Sequence, residues 1–166
     1  MVPEGTVKID FGCFRNTDTE TITLPSSLKE IGWEAFRWCK NLKEIALPEG
    51  LEIIGIGCFR DTAIKEITIP KSVRRMEKSA FSGYIDENKY NRSLEKVTLQ
   101  EGLESIGGYC FCDSGLKEIN IPSTVISIGS WCFKNTLITE VVIPKSVKKL
   151  EDYTFYDCKN LASVTL

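Results

Sequence analysis

The sequence of 166 residues predicts a repeat solenoid of about seven stacked units, each 22 to 23 residues long, because two kinds of residue recur along it. Phenylalanines follow one another at spacings of 22, 23, 22, 30, 22 and 22 residues, at Phe14, Phe36, Phe59, Phe81, Phe111, Phe133 and Phe155. A proline stands eleven residues before six of them, and Gln100 takes its place before Phe111. A unit this short cannot bury an apolar side alone, so the units must stack.

Each unit begins with a short strand that ends at the proline. Apolar residues stand one and three positions before it, as Ile69 and Ile67 do before Pro70. A period of two is typical of a strand with one buried face. Proline ends the strand because it has no N–H group to donate and its φ angle is fixed. We expect these strands to form a parallel sheet.

The remainder of each unit predicts a second extended segment and a turn. Apolar residues follow the proline at the third and sixth positions, as Leu28 and Ile31 follow Pro25, and a glycine such as Gly32 often comes next. Glycine suits a tight bend. We expect the phenylalanine to lie on a single helical or 3₁₀ turn.

The repeat pattern L-x-x-I-x-L-P-x-x-L-x-x-I-G-x-x-A-F-x-x-C-x-x-L, which residues 24–48 match at nearly every position, resembles the BspA-like leucine-rich repeats. The resemblance covers essentially the whole chain. It implies a curved right-handed solenoid with a concave parallel sheet and short turns or 3₁₀ segments on the other side. It also implies a module of a surface or secreted protein that acts in adhesion or protein binding.

Three departures from the pattern bear on the domain organisation. Thr6 replaces an apolar residue, Gln100 replaces proline, and about eight extra residues lie between Phe81 and Leu99. We expect one domain, residues 1–166, with an insertion at 83–93 in the fourth unit. Neither end has a polar capping segment, which favours a fragment of a longer array; the alternative is end-to-end self-association through uncapped edges.

Composition excludes several classes of partner. A net charge of −2 gives no basic face for nucleic acid. No apolar run approaches the roughly 20 residues that a membrane span needs, and the first residues do not form a signal peptide. The location is open: the resemblance suggests the cell surface or secretion, while the odd count of seven cysteines favours a reducing or anaerobic setting.

The cysteines occupy repeat positions rather than a metal site. Four stand just before a phenylalanine and two stand three residues after one, where other units have alanine, threonine or serine. We therefore expect small buried thiols. Cys112 falls where several units have arginine or lysine, so we expect it to be the most exposed thiol.

The sequence predicts no enzyme. It contains no histidine, which removes the usual general base and the commonest metal ligand. No phosphate-binding glycine loop is present. We expect no catalytic residue, no cofactor and no metal.

A candidate binding surface lies on the side of the predicted sheet that points away from the core. Residues two and four positions before the proline point outward. A lysine precedes the outward glutamate in three units, at Lys43-Glu44, Lys65-Glu66 and Lys117-Glu118, whereas the fourth unit has Glu95-Lys96. Lys96 should therefore lie between Glu66 and Glu118, since neighbouring strands stand about 4.8 Å apart. Such a surface is either a self-neutralising solvated sheet or a polar docking face.

Two further features break the repeat. The insertion at 83–93 contributes Tyr84 and Tyr90, which could join Glu66, Lys96 and Glu118 in one protein footprint. It also contains Asn91-Arg92-Ser93, a glycosylation sequon. An aromatic row two residues before the phenylalanine comprises Tyr109, Trp131 and Tyr153.

The aromatic row either binds a glycan or seals the outer wall. The sequence thus favours a protein-binding or adhesion module, with a structural spacer or a glycan-binding module as alternatives.

Overall fold

In the computed structural model, which describes residues 2–86 and 89–166, the chain consists of short strands joined by turns, without a helix in these ranges. Residues 87 and 88 of the predicted insertion lie outside the described residues. The strands are β1 Lys8–Ile9, β2 Glu30–Ile31, β3 Ile53–Ile54, β4 Glu66–Ile69, β5 Arg75–Met76, β6 Tyr84–Asp86, β7 Lys89–Tyr90, β8 Lys96–Leu99, β9 Ser105–Ile106, β10 Ser127–Ile128, β11 Glu140–Val142 and β12 Ser163–Thr165.

The second extended segment of the units forms the longest sheet, which we call the ladder wall. Six parallel strands follow in the order β1-β2-β3-β5-β9-β10. The second residue of each strand is paired in register with its neighbour and is buried, and these residues are Ile9, Ile31, Ile54, Met76, Ile106 and Ile128. The stacked units predicted from the sequence are confirmed.

Glycines let the backbones approach closely along this wall. A Cβ atom at Gly55 would lie 2.7 Å from the carbonyl oxygen of Ile31, and one at Gly129 would lie 2.4 Å from the backbone nitrogen of Gly108. Both distances are too short for a side chain. The glycine after the ladder strand is therefore needed for close packing of successive units.

The strand that precedes the proline is regular only in part. β4 pairs with β8 and β11 pairs with β12, both in parallel, while residues 21–24, 43–47 and 118–121 form no strand. The predicted alternation is nevertheless present: in β4 and β8 the residues alternate between exposed and buried. We call the outward side of the segments 44–46, 66–68, 96–98, 118–120 and 140–142 the strand face.

The phenylalanines lie in turns rather than in 3₁₀ helices. The backbone N–H of each of the first six repeated phenylalanines donates to the carbonyl oxygen of the residue just before the next phenylalanine, as from Phe111 to Cys132 at 2.9 Å. Non-glycine residues with φ between 53° and 65° stand two residues before or after the phenylalanine, and they include Asn16, Glu34, Trp38, Asp61, Ser79, Tyr109, Asp113, Trp131, Asn135, Tyr153 and Asp157. A positive φ is incompatible with a right-handed helix, so the segment remains a chain of turns. We call this stack of turns the turn wall.

The centre of the core is a continuous stack of the repeated phenylalanines. Ring centroids of successive units lie 5.1 to 5.9 Å apart and the rings are nearly parallel. Phe36, Phe111 and Phe133 are fully buried, while Phe14 and Phe155 in the first and last units are partly buried. Each aromatic ring thus packs against the neighbouring unit.

The insertion begins with a β-hairpin, and its last residues form hydrogen bonds to the surrounding units. β6 and β7 pair in antiparallel fashion, with Tyr84 opposite Tyr90. The amide of Asn91 then donates to the carbonyl of Gly83 at 2.6 Å, which closes the excursion. The guanidinium of Arg92 donates to the carbonyl of Asn135, 43 residues later, at 3.0 Å. The insertion is therefore pinned to the surrounding units.

Candidate binding surfaces

Two shallow grooves lie on the strand face. The first has a volume of about 710 Å³ and the second about 480 Å³. Ile22 and Ile45 line the first groove, because the segments that hold them are not joined by a regular ladder. Lys96 and Thr98 line both grooves, so the two depressions meet at β8.

The structure brings three of the predicted partner-binding residues together. Glu66 and Lys96 are register partners in adjacent strands, and Lys96 and Glu118 line the second groove together. Glu140 lines that groove as well. The groove surface therefore alternates in charge at its middle, where a lysine lies among carboxylates.

The reversed order Glu95-Lys96 also creates an ion pair beside the groove. Nζ of Lys117 lies 2.7 Å from Oε2 of Glu95, and both side chains are exposed. The hydrogen bond from Lys117, its charge and the charge of Lys65 lower the pKa of Glu95 from its ordinary value against a small opposing effect of burial. This edge of the strand face therefore carries an exposed ion pair.

The hairpin tyrosines do not both lie on the strand face. Tyr84 lines a separate depression of about 360 Å³ on the turn wall, together with Tyr109. Tyr90 lies across the hairpin from Tyr84 and is 40% exposed. A single footprint that combines these tyrosines with Lys96 stays a prediction.

The aromatic row of the turn wall is a stack of rings. The ring centroids of Tyr109 and Trp131 lie 5.9 Å apart at an interplanar angle of 9°, and those of Trp131 and Tyr153 lie 4.2 Å apart at 19°. Parallel stacking covers the ring faces of Trp131 on both sides. The face of an aromatic ring is the part that packs against a sugar, so the ring faces of Trp131 are not open to a ligand.

The prediction for Cys112 is wrong. Its side chain is 2% exposed, and its thiol donates to Oδ2 of Asp113 at 3.0 Å. Burial, followed by the hydrogen bond and charge of Asp113, raises the pKa of the Cys112 thiol. Tyr84, Asp113 and Lys134 line the same depression as the thiol, and the contribution of Tyr84 from the hairpin is not evident from the repeat position.

The other cysteines follow the repeat, with a difference at its ends. Cys39, Cys58, Cys110 and Cys132 are buried as expected, whereas Cys13 is exposed and Cys158 is half-buried. Cys13 and Cys158 lie in the first and last of the seven units, whereas the four buried thiols lie in the units between them. Burial raises the pKa of the Cys58, Cys110 and Cys132 thiols.

Within residues 2–86 and 89–166 the structure holds no group of three cysteine or carboxylate side chains arranged to bind a metal ion. Over the same ranges it contains no helix with the length and hydrophobicity for crossing a membrane.

Sequence reasoning missed the cations around the depression of Tyr84. Arg60, Lys78 and Lys134 line it. One signal was present: the residue after the phenylalanine is arginine or lysine in four units, but Ser82 and Cys112 are small. Because these two small residues occupy the same position in successive units, they leave a depression between the long cationic side chains of the flanking units.

The chain matches the family model described as a BspA-type leucine-rich repeat region with six copies, over residues 1–88 and 84–166. No curated protein matches it at a significant level.

Several solved structures are similar. A leucine-rich repeat protein from Bacteroides ovatus is 28% identical, with a TM-score of 0.67, over 99% of this chain and 48% of that one. A leucine-rich cell surface protein from Faecalibacterium prausnitzii is 25% identical, with a TM-score of 0.78, over 95% and 42%. A leucine-rich repeat protein from T. pallidum is 26% identical, with a TM-score of 0.63, over 96% and 62%.

The chain thus spans between 42 and 62% of the lengths of these solved relatives. The regular spacing of the stacked units and the family match over both halves of the chain both indicate the same repeat architecture. The chain belongs to the BspA-type leucine-rich repeat family.

Proposed function

We propose that residues 1–166 form one non-catalytic module of a surface or secreted protein, and that this module binds a protein partner on its strand face. The observation that carries the proposal is the junction of the two grooves at Lys96, with Glu66 and Glu118 on either side. The family match and the cell surface relative from Faecalibacterium prausnitzii support a surface or secreted location.

The geometry of the strand face suits a protein rather than a small molecule. The grooves are open and shallow, and polar side chains such as Thr68, Thr98 and Asn120 line them at regular positions. A rigid surface with fixed side chains loses little conformational entropy when a partner binds. Alternating charges favour one docking register over others because like charges repel.

A glycan-binding module using Tyr109, Trp131 and Tyr153 receives less support. The ring faces that would pack against a sugar are stacked against each other. A purely structural spacer is the remaining alternative, and it requires no partner at all.

An exchange of two adjacent charges tests the proposal. The double variant Glu95→Lys/Lys96→Glu gives the fourth unit the Lys-Glu order of three other units without changing the net charge. It removes the central lysine from the groove and places a carboxylate between Glu66 and Glu118. The wild-type module is immobilised and used to capture surface and secreted proteins from the organism that produces it or from the cells that this organism contacts. The captured proteins are quantified by mass spectrometry.

We expect the exchanged variant to capture about tenfold less of the partner, or less still, than the wild-type module does. The matched control is the exchange Lys149→Glu/Glu151→Lys, which reverses an exposed ion pair outside the grooves. Trp131→Ala is the control for the aromatic row. A partner retained by the exchanged variant and lost with Trp131→Ala would overturn the proposal in favour of the aromatic row, and no specific capture by the wild-type module would favour the spacer.

The hairpin tyrosines extend this proposal. Tyr90 lies across the hairpin from Tyr84, is 40% exposed and does not line the Tyr84 depression. If the hairpin contributes to the same footprint, Tyr90→Ala weakens the captured partner by roughly tenfold, the usual effect of truncating an aromatic anchor. Unchanged binding would confine the footprint to the strand face.

A further inference from the structure

A second depression, on the turn wall, has a composition unlike that of the grooves. Its volume is about 360 Å³, and we call it the basic cleft, bounded by Arg60, Lys78, Lys134, Tyr84 and Tyr109. It exists because Ser82 and Cys112 occupy positions where the flanking units have Arg60 and Lys134. The hairpin supplies Tyr84 as a wall. Repeat and insertion together therefore build a concave site that neither would form alone.

The cations of the basic cleft lack the carboxylate partners that similar residues have elsewhere. In the first two units, Arg15 and Arg37 both pair with Glu34. Among the described residues, no carboxylate oxygen lies within ion-pairing distance of Arg60, Lys78 or Lys134.

One carboxylate, that of Asp113, lines the cleft, and both of its oxygens are already engaged. Nδ2 of Asn135 donates to Oδ1 at 2.7 Å, and the thiol of Cys112 donates to Oδ2 at 3.0 Å. Asp113 is fully buried. Three cations and one carboxylate thus line the cleft, which gives its wall an excess of positive charge in a chain whose net charge is −2.

The guanidinium of Arg60 is hydrogen-bonded to the hairpin. Its Nε donates to the carbonyl oxygen of Tyr84 at 3.0 Å. Burial, followed by the charge of Arg37, lowers the pKa of Arg60 from its ordinary value, although the group stays protonated at neutral pH. An incoming carboxylate would offset this desolvation and could accept hydrogen bonds from the two terminal nitrogens.

The tyrosine rings of the basic cleft are covered. Nζ of Lys78 lies 5.3 Å from the ring centroid of Tyr109, and Trp131 stacks on that ring from the next unit. The guanidinium carbon of Arg60 lies 5.4 Å from the ring centroid of Tyr84. Rings that already hold a cation or another ring offer little free face to a sugar, whereas the cations remain open to an anion.

We propose that the basic cleft binds aspartate or glutamate side chains of an acidic segment in a protein partner. The charge excess supplies the attraction, and the concave shape excludes part of the water that would screen it. The cleft lies on the turn wall, so this site is separate from the strand face. Binding at the cleft does not depend on whether a partner docks on the strand face.

A fluorescein-labelled hexaglutamate peptide is a direct probe, with fluorescence anisotropy as the measurement. We expect saturable binding to the wild-type module that weakens as salt is added, because exposed charge pairs are screened. Lys78→Gln and Lys134→Gln should each weaken binding roughly fivefold, and the double variant should abolish it. Arg60→Gln is a less suitable first variant because Arg60 also holds the hairpin.

The controls separate the cleft from general electrostatics and from the strand face. Lys40→Gln removes an equal charge from an exposed position in the second unit, and Lys96→Gln removes one from the strand face. Both should bind the peptide within about twofold of the wild type. Thermal unfolding of every variant verifies that the fold is intact.

Three results would overturn the proposal: no saturable binding of the peptide by the wild-type module, equal weakening by Lys40→Gln, or full binding by the Lys78→Gln/Lys134→Gln variant. A sulfated oligosaccharide tested in parallel distinguishes the ligand class. If that oligosaccharide binds, the peptide does not, and the cleft variants lose it, the acidic-peptide assignment is wrong and the site is one for anionic sugars.

Discussion

Nδ2 of Asn91 donates a hydrogen bond of 2.8 Å to Oδ1 of Asp61, a residue 30 positions earlier in the chain. The same nitrogen donates to the carbonyl of Thr62 at 2.6 Å. The end of the insertion is thereby tied to the third unit. The amide that a glycan would modify in the sequon Asn91-Arg92-Ser93 is thus fully used in a structural contact.

The variant Asn91→Ala tests this fastening. Asp61 is 5% exposed, so loss of its donor leaves a buried carboxylate without that hydrogen bond. We expect a loss of about 2 kcal/mol in the free energy of unfolding, measured by urea denaturation. Asn41→Ala is the matched control, since Asn41 makes only a long, exposed hydrogen bond of 3.5 Å to Asp18. Equal losses in both variants would show that the buried contact has no special role.

The phenylalanine stack predicts a graded effect of truncation. Phe111 and Phe133 are fully buried, and their ring centroids lie 5.6 Å apart. Phe111→Ala or Phe133→Ala should cost about 3–5 kcal/mol, the usual range for an emptied aromatic core site. Phe14→Ala should cost less, because Phe14 is only partly buried.

The loss in the middle of the stack can also uncouple the two halves, which calorimetry would show as a broadened or split transition. A melting profile unchanged by Phe111→Ala would contradict the packing described here.

Native thiol labelling distinguishes the exposed from the buried cysteines. With a maleimide at neutral pH, Cys13 should react first and Cys158 more slowly. Cys112 should resist until the chain unfolds, because its thiol is buried and its raised pKa suppresses the reactive thiolate. Mass spectrometry of labelled peptides gives the order, and early modification of Cys112 would contradict the structure.

The ion pair of Glu95 and Lys117 makes a prediction about pH. The pKa of Glu95 is lowered in the folded state, so its contribution to stability is present above the unfolded pKa of about 4.3 and is lost as the pH falls through the folded value. In an NMR titration, Lys117→Ala should raise the Glu95 pKa toward its ordinary value, and added salt should do the same in the wild type. Lys145→Ala is the control and should leave it unchanged; an unshifted Glu95 pKa in Lys117→Ala would contradict the pairing.

The repeated positions could be predicted from sequence because seven copies report the same packing. Phe111 and Ile67 are buried as their positions require, and Glu66 pairs with Lys96 as the strand spacing requires. The irregular pairing of residues 21–24, 43–47 and 118–121 could not be predicted, because these segments have the same apolar alternation as the regular strands β4 and β8.

The turn wall was harder to predict because its features arise between units. Cys112 is buried by side chains from the hairpin and from neighbouring units, including Tyr84 and Lys134. The basic cleft results from what Ser82 and Cys112 lack rather than from a motif that they form. A pattern read along one repeat does not reveal contacts that depend on the side chains of the next.

Site-specific photo-crosslinking tests the central claim, that the strand face is the docking surface, most directly. The photoreactive amino acid p-benzoylphenylalanine is placed at Thr98, which lines both grooves, and in a second protein at Tyr153, an exposed residue of the aromatic row. Each protein is irradiated in the presence of the captured partner, and adducts are identified by mass spectrometry. We expect an adduct from position 98 and none from position 153; an adduct from position 153 alone would contradict docking on the strand face.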